Sequence, residues 1–205
     1  MYICRLLWCK QNLYLKLFYE NHFPTNLVRG DEYLRKRLLK RFSYLYTGEL
    51  MSVVMFIVVF FLLKKVYPQL RLYSLTSFWI SFFLLEFLLV QGSIYWYVKW
   101  NRLKKENTTV TPIQVVKSFK NLKKLNIGLI IIIMFIFAFD FLKLYPSLPL
   151  GSLGIAGFIY IFAILEYINY FHFQLSYDNL SDIKYLLRSK RLKQSCLSRD
   201  FDSMV

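Results

Sequence analysis

Three acidic residues, Glu86, Asp140 and Glu166, stand inside long apolar runs of this 205-residue chain. A carboxylate at bilayer depth is costly, so each needs a partner, a water-filled cavity or a proton. Helical spacing puts Asp140 near the outer boundary, Glu86 near the middle and Glu166 towards the inner side. Asn169, Tyr170 and Phe173 share a side with Glu166, and His172 follows at the inner end of the same run. One chemistry these residues suit is a proton or cation relay, with steps of roughly 10 Å bridged by water. The other is interhelical hydrogen bonding, at about 0.6–2 kcal/mol per residue, with no transport at all. The second is the simpler reading, because no substrate-sized group of polar residues accompanies the three acids. A lipid-modifying enzyme would have only Glu166, Asn169 and His172 to work with.

Signatures of other chemistry are missing. The chain has no Gly-rich phosphate loop, nucleophile elbow or zinc-protease helix motif. His22 and His172 are the only histidines, too few for a histidine-ligated metal centre, and no cofactor is expected. Cys4, Cys9 and Cys196 are odd in number and fall in segments expected to be cytoplasmic, so they read as reduced thiols.

Positioning these residues falls to four apolar segments. Hydrophobic residues are 57% of the chain and aromatic residues 20%, more than a water-soluble domain of this size can hide. Spans are expected at about 46–66, 73–98, 125–144 and 150–172, each near the twenty or so helical residues that cross a bilayer. The expected fold is an all-α membrane protein with four transmembrane helices. Glu49 sits at the inner edge of the first span, and Lys64 and Lys65 close its outer edge. Pro146 and Pro149 suit a short outer turn.

Charge orients the spans. Lys and Arg number nine through Arg41, three from Lys64 to Arg71, eight from Lys99 to Lys124, one at Lys143 and six in the tail. Alternate segments therefore carry 23 and 4, which places both termini and the 99–124 loop in the cytoplasm. Membrane orientation accounts for the net charge of +15, and nucleic acid is not an expected partner.

On the cytoplasmic side basic amphipathic helices are expected in a 1–45 region and the 99–124 loop, followed after the last span by a basic 173–205 tail. Asp31 reads as a helix cap preceding Arg35, Lys36, Arg37, Lys40 and Arg41, a cluster suited to anionic headgroups. Thr111-Pro112-Ile113-Gln114 has a capping-box pattern with Thr111 as N-cap. The helix it opens would carry Ile113, Val116, Phe119 and Leu122 on one face and Lys117, Lys120, Lys123 and Lys124 on others. That pattern fits a helix lying on the inner membrane surface, or an extension of the third span packed on its neighbours. Residues 1–20 alternate apolar and basic types and suit an in-plane helix.

The fourth span has a small-residue half, in which Ser152, Gly154, Ala156 and Gly157 allow close helix contact, and a polar half ending at His172. The stretch Glu166-Tyr167-Ile168-Asn169-Tyr170-Phe171-His172-Phe173-Gln174-Leu175, continuing to Lys193, resembles the C-terminal end of multi-span membrane proteins of low-GC Gram-positive bacteria. Some of these are loosely labelled general stress proteins. The resemblance covers about forty residues, implies a bacterial cytoplasmic membrane and carries no activity with it. The expected function is a non-enzymatic accessory or stress-related membrane factor whose partners are the bilayer and another membrane protein or a second copy. A small transporter or proton conductor using Glu86, Asp140 and Glu166 is the alternative.

Overall fold

A computed structural model describes residues 25–68, 72–145, 150–175 and 192–203. The expected in-plane helix at 1–20, Cys4, Cys9, the Pro146–Pro149 turn and most of the basic tail lie outside the described residues. Among the described residues five α-helices occur in chain order: α1 Thr25–Val66, α2 Thr76–Glu106, α3 Ile113–Leu144, α4 Leu150–Phe171 and the short α5 Cys196–Asp202. A 3-10 turn, Leu72–Ser74, leads into α2.

Each of the first four helices contains a stretch long and apolar enough to cross a membrane. α1, α3 and α4 end at Val66, Leu144 and Phe171, while α1, α2 and α3 run well past 46, 98 and 125 at their other ends. At about 1.5 Å per residue α1 is about 63 Å long and α3 about 48 Å, against about 30 Å of hydrocarbon. α4, at about 33 Å, fits the bilayer with little to spare. The excess of α1, α2 and α3 emerges at the end that carries residues 25–45, 99–106 and 113–124, here termed the basic end.

Two expectations for that end are corrected. The Arg35–Arg41 cluster does not begin a separate helix capped by Asp31, since α1 already starts at Thr25 and runs through it unbroken. Thr111 is not the N-cap of the next helix; Pro112 holds that position and Thr111 bonds elsewhere. The 113–124 segment is an uninterrupted extension of α3, with Val116 and Phe119 buried and Ile113 exposed. Packing against the bundle, rather than lying flat on a membrane, therefore uses its apolar face.

α2 is the central helix. Most of its apolar stretch is buried, whereas little of that of α1, α3 or α4 is. Three packed layers follow its length. Away from the basic end, Phe60 of α1 packs with Phe78 and Phe82 of α2, and Ala156 of α4 closes the layer. Leu85, Leu88, Ile133 and Ala163 lie in a middle layer that extends to Leu197 of α5. Leu38 and Phe42 of α1 meet Leu103 of α2 at the basic end. The outward faces are apolar: Met55 and Phe61 of α1, Phe135 and Leu142 of α3, and Phe158 of α4 are all exposed. A surface of that kind is stable only in an apolar solvent. The chain is an all-α membrane protein.

The segment after α4 folds back. Gln174 N–H donates to Lys193 O at 2.8 Å and Ser195 N–H to His172 O at 3.0 Å. This antiparallel bridge delivers α5 to the basic end, where Ser195 caps it by accepting from Ser198 N–H.

Candidate functional site

Polar side chains tie every sequential pair of long helices. α1 and α2 are joined by Ser93, whose hydroxyl donates to Tyr46 O at 3.3 Å. Gln91 and Asn126 exchange two amide hydrogen bonds between α2 and α3, at 3.2 and 2.9 Å, and both side chains are buried. Tyr160 of α4 donates its hydroxyl to Ile130 O of α3 at 2.9 Å. An unsatisfied amide or hydroxyl at bilayer depth costs several kcal/mol, so such reciprocal pairs hold the register of the helices they join.

Asp140 has a definite partner. The residue before α2, Leu75, has no side-chain oxygen with which to cap the helix. Asp140 reaches across from α3 instead, and its Oδ2 accepts the Ser77 N–H at 2.7 Å with both residues buried. A carboxylate at a helix N-terminus satisfies an orphan donor and meets the positive end of the helix dipole. Asp140 is thus a tertiary cap occupied by backbone, which leaves the expected relay without a free group at its outer step.

Asp200 forms the largest polar node. Its Oδ2 accepts from Tyr95 Oη at 2.8 Å and Thr111 Oγ1 at 2.6 Å, and the carboxylate pairs with Lys99 Nζ at 3.0 Å. The Lys99 ammonium also lies 4.9 Å from the centre of the Tyr95 ring. Only 10% of the Lys99 side chain and 19% of Asp200 remain exposed. One residue of α5 therefore fastens α2 and the α2–α3 connection together. The rest of that connection is held by Arg102, which donates to Val110 O at 3.0 Å and pairs with Glu106.

The remaining site candidates separate into two groups. In the basic half of the bundle Asn169 donates to Glu166 at 3.3 Å while its own oxygen accepts Leu175 N–H at 2.9 Å. His172 is bonded to Tyr167 Oη at 3.3 Å, so Glu166, Asn169 and His172 are not gathered on one reacting point. Glu166 of α4 and Glu49 of α1 are both half-buried, and Tyr170 is buried against Gly92 of α2. Glu86 stands apart: neither of its carboxyl oxygens has a hydrogen-bond partner among the described residues. No group of three or more His, Cys, Asp or Glu side chains close enough to hold a metal ion occurs among the described residues.

Small-residue packing is redistributed relative to expectation. Ser152 and Ala156 are buried, and Ala163 continues their stripe two turns on. Gly154 and Gly157 do not mediate close contact, because a Cβ on either would meet nothing within 4 Å. The close approach occurs at Gly92 of α2, where a Cβ would lie 2.5 Å from Tyr170 Cζ. Of the headgroup candidates, Lys36, Arg37, Lys40, Lys117, Lys120 and Lys124 are exposed, and Arg35, Arg41 and Lys123 are half-buried. Arg35 donates to Lys104 O at 3.3 Å, and Lys36 pairs with Glu32 at 2.7 Å.

Sequence reading passed over Gln91, Asn126, Tyr160 and Asp200, and treated Glu49 as an edge residue. The two amides had a usable signal, being uncharged polar groups in apolar segments. Asp200 had none, since it lies in a charged tail. No family model, curated protein or solved structure matches the chain.

Proposed function

We propose that this chain is a non-enzymatic accessory or stress-related protein of a bacterial cytoplasmic membrane, acting through helix packing and through contacts at its basic end. The observation that carries this reading is the use of interior polar groups. Ser93, Gln91, Asn126, Tyr160 and Asp140 each bond to a neighbouring helix instead of converging on a substrate-sized space. The charge division of 23 to 4 supports a cytoplasmic basic end. There the exposed Lys36, Arg37, Lys40, Lys117, Lys120 and Lys124 are suited to anionic headgroups and to an acidic face of another membrane protein or a second copy.

Cross-linking in membranes followed by gentle solubilisation and affinity purification tests this reading. A stoichiometric partner, or a defined homo-oligomer, is the expected result. A lone protein that dissipates a proton gradient in vesicles would overturn it. The unpartnered Glu86 carboxyl favours a proton conductor as the second reading. On that reading Glu86→Gln abolishes the flux while the protein still folds.

A further inference from the structure

The exposed cations of the basic end stand at different heights above the bilayer. α4 is close to the thickness of the hydrocarbon layer, so its end at Phe171 marks the edge of the apolar region. Three contacts carry that level to the other helices. Tyr170 packs against Gly92 of α2, Ser93 bonds to Tyr46 of α1, and Gln91 pairs with Asn126 of α3. Tyr46 on α1 and Lys124 on α3 are therefore close to level with the end of α4. Four residues on, Lys120 lies about 6 Å further out, whereas Arg37 and Lys36 lie about 14 and 15 Å beyond Tyr46. Headgroups occupy only about 5–7 Å on each side of the hydrocarbon. Lys124 and Lys120 fall within that layer, and Arg37 and Lys36 stand clear of it.

A second observation is what lies beneath the two lysines. Lys120, Lys124, Ile131 and Phe135 follow one another at intervals of four, seven and four residues, which keeps them on one side of α3. All four are exposed. At Gly128, between Lys124 and Ile131, a Cβ would meet nothing within 4 Å, so the path along this side of the helix is open. Phe135 is about 16 Å from Lys124, the depth of one leaflet. Lysine side chains lean towards the N-terminus of their helix, here towards the headgroups. Two ammoniums one turn apart above an apolar strip of leaflet depth match a phosphate and an acyl chain. An acidic soluble protein would meet the ammoniums but not the strip, which lies in hydrocarbon.

We propose that this side of α3 is a binding site for one anionic phospholipid, its phosphate held by Lys120 and Lys124 and an acyl chain laid along Ile131 and Phe135. The proposal rests on the reading of the basic end as the face towards anionic headgroups, and narrows that reading to two of its cations.

The test uses the full chain in phosphatidylcholine vesicles with a trace of photoactivatable phosphatidylglycerol or phosphatidylcholine, the reactive group being on an acyl chain. Adducts are mapped by mass spectrometry to residues 125–135. Labelling there should be at least fivefold greater from phosphatidylglycerol, since one well-placed cation near the surface is worth about that factor. Lys120→Gln combined with Lys124→Gln should bring the ratio of the two lipids close to one. Lys36→Gln combined with Arg37→Gln removes the same charge from outside the headgroup layer and should leave the ratio within about twofold of wild type. All four substituted residues are exposed, so both double variants should melt near wild type. Equal labelling of the wild type by the two lipids overturns the proposal, as does a ratio that survives the loss of Lys120 and Lys124. An equal fall in both double variants also overturns it, because net charge rather than a site on α3 would then select the lipid. The partner or homo-oligomer sought by cross-linking is read separately, so the broader reading can stand where this site fails.

Discussion

Asp140 and Asp200 are both carboxylates with backbone or side-chain donors, yet they differ in what their removal leaves behind. Asp140→Ala exposes only an orphan N–H at the start of α2, and capping losses run at about 0.5–2 kcal/mol. Asp140→Asn retains an acceptor and should lose less than Asp140→Ala in detergent unfolding. Asp200→Ala strands the Lys99 ammonium in a site where its side chain is 10% exposed, and breaking a buried pair costs about 3–5 kcal/mol. The lower end is expected, because 19% of Asp200 itself remains exposed. Adding Lys99→Met should recover part of that loss, since the stranded charge is then absent. A double variant no more stable than Asp200→Ala would show that Tyr95 and Thr111, not Lys99, carry the node. Gly92→Ala is a third case. Helix propensity favours Ala by about 1 kcal/mol, but overpacking against a buried ring costs about 1–3 kcal/mol. Net destabilisation is expected, with rescue by Tyr170→Leu.

Among the elements, α3 and α5 carry the clearest expectations. The basic segment 113–124 is part of α3 and packs through Val116 and Phe119. Amide hydrogen exchange should therefore show protection continuing from residue 116 into the span, in neutral detergent and in high salt alike. A segment held on the surface by headgroup attraction would need anionic lipid and would lose protection in salt. α5 has only seven residues, too few to be stable alone. Its order derives from the Asp200 node, the Leu197 contact and the Phe173–Gln194 bridge. Truncation after Lys193 should lower the melting temperature at least as much as Asp200→Ala, because it releases Lys99 and Thr111 and also removes the buried Leu197.

For the molecule as a whole, orientation is the property most open to direct measurement. Reporter fusions at both termini and in the 99–124 loop should read as cytoplasmic, and fusions at 67–71 and 146–149 as external. An external reading at the C-terminus would reverse the assignment of the basic end. α1 packs mainly on α2, with Phe56 and Phe60 also reaching α4, and leaves Met55, Ile57, Val58 and Phe61 exposed. Lipid covers that face in the monomer. A second copy or a partner helix would cover it in a complex, which is the contact the cross-linking experiment reads.

Composition and the period of apolar residues were enough for the class and the four spans. These depend on transfer of local side chains out of water, a property of each segment by itself. The carboxylates at Asp140 and Glu166 were legible as residues needing partners, for the same reason. Asn169, the partner of Glu166, was legible too, being three residues on; the partner of Asp140 was not, because such pairs are distant in the chain: Gln91 and Asn126 are 35 residues apart, Ser77 and Asp140 63, Tyr95 and Asp200 105. Glycines show the limit most clearly. Gly154 and Gly157 had the local pattern of a packing face, while the contact was made by Gly92 with Tyr170. Which face of a helix meets its neighbour depends on its rotation about its own axis. That rotation was decided only when α1, α3 and α4 had packed around α2.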